Sequence, residues 1–129
     1  AVFREAVVMQ MTWMGAPTIY YGDEAGLCGF TDPDNRRTYP WGKEDKELLQ
    51  FHKDIIRIHK ENQALRNGSI KYIDADYNYL AYGRFNKEES HVILVNNNFH
   101  EITKTVTVWI MNTSVCLMKS LYKHILLPL

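Results

Sequence analysis

The dipeptide Asn67-Gly68 limits what this chain can fold into more than any other feature, because the hydrophobic pattern changes kind across it. Asn-Gly is a strong turn signal. Upstream, apolar residues recur at helical spacing on either side of one short β-prone run. Downstream they recur in short β-rich segments divided by Asp, Asn, Lys and Glu. A change of period of this sort divides the chain into two pieces, residues 1–66 and residues 67–129, each with its own architecture.

The upstream piece opens on Phe3-Arg4-Glu5-Ala6-Val7-Val8-Met9-Gln10-Met11, which is rich in helix formers, free of Gly and Pro and apolar on most sides. This predicts a largely buried helix. Gly15-Ala16-Pro17 stops it. Thr18-Ile19-Tyr20-Tyr21, closed by Gly22, then carries the pattern of a strand buried on both faces, as found in parallel sheets. From Gly22 to about Asp45 no period is visible, and loops of such length in compact domains usually serve function. Leu48, Phe51, Ile55 and Ile58, joined by Leu49 and Ile56, recur at three- and four-residue intervals among charged residues, which predicts an amphipathic helix capped by Asp45. Helix, buried strand, long loop and helix is the grammar of an α/β protein.

In the downstream piece, residues 69–73, 80–85, 91–96 and 101–110 read as strands of an antiparallel sheet. In the last of them Lys104, Val106, Val108 and Ile110 fall on one face and the Thr residues with Trp109 on the other. Residues 114–129 show no convincing period.

Fifteen Lys and Arg balance fifteen Asp and Glu without long like-sign runs, so no global field attracts nucleic acid or an anionic membrane. No apolar run approaches the roughly 20 residues that span a bilayer. Cys28 and Cys116 sit in no metal-ligand or C-x-x-C spacing and are expected to be small hydrophobes or free thiols. A single core of 129 residues buries about two thirds of the surface of its unfolded chain, which allows independent folding. The chain begins Ala1-Val2-Phe3 without Met, which reads as the interior of a longer protein.

The chemistry-bearing stretch is the loop after the expected strand: Gly22-Asp23-Glu24-Ala25-Gly26, then Asp32-Pro33-Asp34-Asn35-Arg36-Arg37-Thr38-Tyr39-Pro40-Trp41. The carboxyl end of a parallel strand is where α/β proteins place ligand sites. Asp and Asn accept, Arg donates through a fork, and Tyr and Trp present flat apolar faces, the combination that a polyhydroxylated ligand such as a sugar requires. Turn chemistry and a loop-bracing Asp-Arg pair account for the same residues without any ligand. A calcium loop is excluded, since Arg36 takes the third ligand position after Asp32 and Asp34, and Arg37 replaces the required Gly. Glycosidic hydrolysis needs two carboxyl groups roughly 5 to 10 Å apart. Asp23 with Glu24 and Asp32 with Asp34 are such pairs by count alone, each inside one short segment, whereas barrel enzymes draw these groups from different strands. His52 and His59 lie in the amphipathic helix, where packing explains them, Ser114 and Ser120 lack a nucleophile elbow, and no phosphate-cradling loop exists. No cofactor, metal or catalytic residue is expected in this chain.

Gly15-Ala16-Pro17-Thr18-Ile19-Tyr20-Tyr21-Gly22-Asp23-Glu24 resembles the last barrel strand of the α-amylase family of glycoside hydrolases. Asp32-Pro33-x-Asn35-Arg36-Arg37-x-Tyr39-Pro40-Trp41 is similar to the branch containing neopullulanase, cyclomaltodextrinase and maltogenic amylase, and the resemblance extends to about Ile110. It implies an α/β piece, the eighth strand and helix (residues 48–62) of a (β/α)8 barrel, followed by the start of an all-β antiparallel sandwich. It implies that Asp32 and Arg36 bind glucose units on the non-reducing side of the cleavage point, and that Gly15, Pro17, Gly22 and Glu24 form an architectural motif at the strand end. The family's catalytic carboxylates follow strands four, five and seven, and none of those motifs is present. The resemblance therefore implies the C-terminal fragment of a retaining α-glucan hydrolase, cytoplasmic in this branch, inactive alone, whose partners are an α-glucan oligosaccharide and the rest of the barrel. The uncovered faces of such a piece are expected to associate. The alternative is a binding or structural module that touches glucan through Tyr77, Tyr79 or Trp109.

Overall fold

The structure, a computed structural model, describes residues 2–103, 105 and 113–117. Helix α1 spans Val2–Thr12 and buries Val7, Val8, Met11 and Thr12. Val2 and Phe3 stay 64% and 45% exposed, so the helix is covered along its second half and not on most sides. Thr12 closes it by donating from Oγ1 to the Val8 carbonyl at 2.7 Å, and the same hydroxyl meets the Tyr82 hydroxyl at 2.5 Å.

The buried strand expected at Thr18-Ile19-Tyr20-Tyr21 is not formed: these residues belong to no ladder, and Tyr20 and Tyr21 are about half exposed. A strand buried on both faces exists only where neighbours satisfy its peptide groups. The one sheet of the described residues is built from other segments, and what ties this run to α1 is a hydrogen bond from Gln10 Nε2 to the Thr18 carbonyl.

Helix α2, Lys46–Glu61, begins as its sequence predicts, with the Asp45 carboxylate accepting from the Leu48 amide at 2.9 Å. Leu48, Phe51, His52 and Ile55 form its buried stripe. Both helical histidines are structural: His52 Nδ1 pairs with the Leu48 carbonyl at 2.9 Å, and His59 Nδ1 with the Met11 carbonyl of α1 at 2.7 Å. Replacing Asp45 with Ala is expected to lower stability by about 1 kcal/mol, read as a shift in the urea midpoint with an unchanged slope. A short helix that periodicity does not reveal, α3 at Gln63–Asn67, follows. Its first turn is satisfied from far away in sequence, the Ala64 amide donating to Glu89 Oε1 at 2.5 Å.

Asn67-Gly68 is a junction, not a hairpin turn. Gly68 is extended (φ −73°, ψ 163°) and passes directly from α3 into the sheet. Glycine is required there by space: a Cβ would lie 2.4 Å from the Ala64 carbonyl oxygen and 2.7 Å from that of Phe85.

Strands β1 (Ser69–Asp76), β2 (Tyr79–Phe85) and β3 (Ser90–Asn96) form an antiparallel sheet, with Tyr82 opposite both Tyr72 and Ile93 and a bulge between Tyr72 and Asp74. A fourth strand, β4 at Thr113–Leu117, pairs with β3 in parallel, Val92 opposite Val115. This corrects the all-antiparallel expectation. Side-chain alternation reports which face a residue occupies but not strand direction, and the chain between β3 and β4 is long enough for a parallel connection. Of the expected strand at 101–110, Glu101, Ile102, Thr103 and Thr105 lie in no strand, while Lys104, Val106, Val108, Trp109 and Ile110 fall outside the described residues.

Tyr82, Ile93 and Val95 of the sheet pack against Val7, Val8 and Met11 of α1, Phe51 and Ile55 of α2 and Leu65 of α3, so one core crosses the junction. Beside it Arg84 is 1% exposed and donates from Nη1 to the Thr12 and Trp13 carbonyls (2.5 and 2.8 Å) and from Nη2 to the Gly68 carbonyl (2.9 Å). Burial pushes its pKa down, but a guanidinium remains charged. The positive group rests on carbonyls at the C-terminal end of α1, where the helix dipole favours a cation.

Candidate functional site

The loop between residues 22 and 45 is a closed unit. Gly22 adopts a left-handed conformation (φ 89°), and its carbonyl accepts from the amides of Ala25 and Leu27 at 3.0 and 2.9 Å, winding a single 3-10 turn over Asp23–Ala25. At the far end, the Asp45 amide returns to the Ala25 carbonyl at 3.0 Å while the Asp45 side chain caps α2. Gly29 lets the strands of the loop cross, since a Cβ there would lie 2.4 Å from Asn35 Cα.

Inside this frame the two Asp-Arg pairs have different tasks. Asp34 braces the loop: it accepts from the Phe30 amide at 3.2 Å and from Arg37 Nε at 2.9 Å. Arg37 first, and then the Phe30 amide, hold the Asp34 carboxyl below its ordinary value. A carboxyl so lowered contributes order above its unfolded pKa and loses it as pH falls through the folded one. Acidification below the usual carboxylate range is therefore expected to release the Phe30 amide, seen as faster exchange by NMR, and Asp34→Ala, which removes the acceptor, should release it at neutral pH. Asp32 and Arg36 pair at 3.2 Å, with side chains 64% and 57% exposed. Exposed pairs of this kind are weak.

Aromatic rings lie beside these charges. Tyr20 and Tyr21 stack with centroids 4.4 Å apart and planes 26° apart. Tyr21 is held above its ordinary pKa by the hydroxyl of Tyr20 first and burial second, with Arg36 and Asp32 near enough to push in opposite directions. Tyr39 and Trp41 pack at 4.6 Å and 53°. Burial raises the Tyr39 pKa, helped by the charges of Glu24 and Glu44. The sequence singled out Tyr39 and Trp41 but placed Tyr20 and Tyr21 inside a strand; the one local signal was that the pair directly precedes a glycine, Gly22.

Of the architectural motif, Gly15 is left-handed (φ 112°) in open space, Pro17 is half-buried, and Glu24 is half-buried with Oε2 enclosed and unpaired among the described residues. Thus the structure places Asp32 and Arg36 in contact with each other, and Glu24 near Tyr39. Of the aromatics offered for glucan contact, Tyr77 is 95% exposed, but Tyr79, the first residue of β2, is buried at 6% exposure, and Trp109 lies outside the described residues. Among the described residues no group of three or more His, Cys, Asp or Glu could hold a metal ion, and no helix is long and apolar enough to cross a membrane.

No family model matches the chain. It is 49% identical over 79 residues to an amylopullulanase of Thermoanaerobacter thermohydrosulfuricus, covering 61% of this chain and 5% of that protein. It is 40% identical over 102 residues to neopullulanase 2 of Thermoactinomyces vulgaris, covering 76% of this chain and 17% of the relative. A solved cyclomaltodextrinase structure superimposes with a TM-score of 0.69 at 38% identity, over 74% of this chain and 17% of the other. The chain therefore spans under a fifth of the length of each of these proteins.

Proposed function

Because this chain belongs to the α-amylase family, we propose that it is the C-terminal portion of a glycoside hydrolase that cleaves α-glucosidic bonds in maltodextrins, cyclodextrins or pullulan with retention. Residues 1–66 are the closing piece of the (β/α)8 barrel. Thr18-Ile19-Tyr20-Tyr21 completes a strand once barrel neighbours lie beside it, and α2 is the last barrel helix. Residues 67–129 are the beginning of the C-terminal β-sandwich. Asp32 and Arg36 bind glucose units on the non-reducing side of the cleaved bond, accepting from and donating to sugar hydroxyls at about 1 kcal/mol net per bond. Gly15, Pro17, Gly22 and Glu24 shape the strand end that carries the loop.

The observation that carries this reading is the braced loop itself. Asp34, paired with Arg37, holds the Phe30 amide, while Asp32 and Arg36 pair only with each other through side chains 64% and 57% exposed. Support for a missing barrel partner comes from Val2, Phe3, Trp13, Met14, Tyr20 and Tyr21, all large, apolar and 45% exposed or more. The core shared by helices and sheet favours this reading over a separable binding module.

The family's catalytic carboxylates have no counterpart here, so the chain alone is inactive. Incubated with maltohexaose, β-cyclodextrin or pullulan, it is expected to release no reducing sugar above a mock preparation. Turnover that Glu24→Gln or Asp32→Asn abolishes would sink the proposal. Light scattering should show association through the uncovered apolar faces, and a monodisperse monomer would contradict it.

A further inference from the structure

Trp41 is 82% exposed, although burying an indole is among the larger gains open to a folding chain. A floppy loop tip would explain that, but the turn presenting Trp41 is tightly bonded. The Trp41 amide donates to the Tyr39 carbonyl at 2.9 Å and the Lys43 amide to the Pro40 carbonyl at 2.9 Å, and the Gly42 amide donates to Glu44 Oε1 at 3.0 Å. Gly42 takes the left-handed conformation (φ 75°) that the turn demands. Tyr39, half-buried, sets the angle of the indole by packing at 4.6 Å. The ring is thus held outward by a built turn, on the same closed loop that presents Asp32 and Arg36.

We propose that Trp41 carries a glucose unit of its own by stacking, separate from the unit taken by Asp32 and Arg36, and so makes the loop select glucan chains over single sugars or disaccharides. The inference rests on the reading of Asp32 and Arg36 as glucan-binding. The C–H face of a pyranose is apolar and weakly positive, which suits the electron-rich face of an indole. Trp41 follows Arg36 by five residues, so the two lie within about 17 Å of each other, a distance that a single glucan chain can bridge. The aromatic ring supplies contact area with little rotamer entropy to lose, and the charged pair supplies direction.

The test is calorimetric titration of the 129-residue chain with maltose and with maltohexaose, comparing the unaltered sequence with Trp41→Ala, Trp41→Phe and Asp32→Asn. Trp41→Ala is expected to weaken maltohexaose binding about tenfold and leave maltose within about twofold, while Trp41→Phe keeps most of the affinity. Asp32→Asn is expected to weaken both sugars. Equal losses for both sugars in Trp41→Ala, or no loss for either, would overturn the inference. An Asp32→Asn chain that binds as before, beside a length-selective Trp41→Ala loss, would overturn the reading of the charged pair and leave Trp41 standing. An unaltered chain that binds neither sugar at about 10 mM would overturn both. Far-UV circular dichroism identical among the variants excludes a folding artefact.

Discussion

Arg84→Met is expected to destabilise the chain by about 3 kcal/mol or more, measured by urea unfolding followed by circular dichroism. Arg84 is 1% exposed, and its guanidinium satisfies the carbonyls of Thr12, Trp13 and Gly68. The first two sit at the end of α1, where helix geometry supplies no further amide donors. Methionine keeps most of the packing volume but leaves these buried acceptors unmatched, at about 1 to 3 kcal/mol for each one that water cannot reach. Arg84→Lys retains the charge without the fork and should fall between the two. A loss below about 1 kcal/mol for the Met variant would show that the carbonyls find other donors.

Gly68→Ala should cost about 2 to 4 kcal/mol, although alanine normally favours an extended residue as well as glycine does. The cause is contact with backbone: the added methyl would sit 2.4 Å from the Ala64 carbonyl oxygen and 2.8 Å from Ala64 Cα, and neither atom can rotate away. The comparison that isolates this cause is Gly42→Ala. Gly42 is left-handed but faces open space, so its substitution should cost only the conformational penalty of about 1 to 2 kcal/mol. Thermal unfolding of the two variants in parallel gives the order, and a Gly42 variant less stable than the Gly68 variant would contradict the steric argument.

Both predictions concern contacts that join the helices to the sheet, and these were the least legible parts of the sequence. Apolar spacing revealed α1 and α2, the Asp45 cap and strands β1 to β3, because each depends on residues close in the chain. Helix α3 was missed because its first turn is satisfied by Glu89, far away in sequence, and nothing local distinguishes Arg84 from any other strand residue. The run Thr18-Ile19-Tyr20-Tyr21 erred in the other direction. Its pattern is that of a strand, but a strand is a property of neighbours as much as of its own residues.

The candidate site divides along the same line. Its residue types and their order pointed to a sugar-compatible loop, and the motif around Gly22 and Asp32 pointed to the family that the relatives bear out. The division of labour was invisible. Two Asp-Arg pairs at spacings of four and three residues look alike as letters, yet the Asp34 pair also holds the Phe30 amide and the Asp32 pair does not. Trp41 was singled out as a flat apolar face, but its exposure and the bonded turn that presents it come from the structure.

By itself, the sequence determined the change of pattern at Asn67-Gly68, helices α1 and α2 and strands β1 to β3, which follow from local periodicity and capping, and, through two short motifs, the family. Tertiary structure alone decided that one core crosses that junction, that Gly68 is needed for room and not for a turn, that β4 runs parallel, and which carboxylate holds the Phe30 amide. The physical reason is common to all four. Each depends on which distant backbone atoms approach a given side chain, and a local pattern carries no record of that approach.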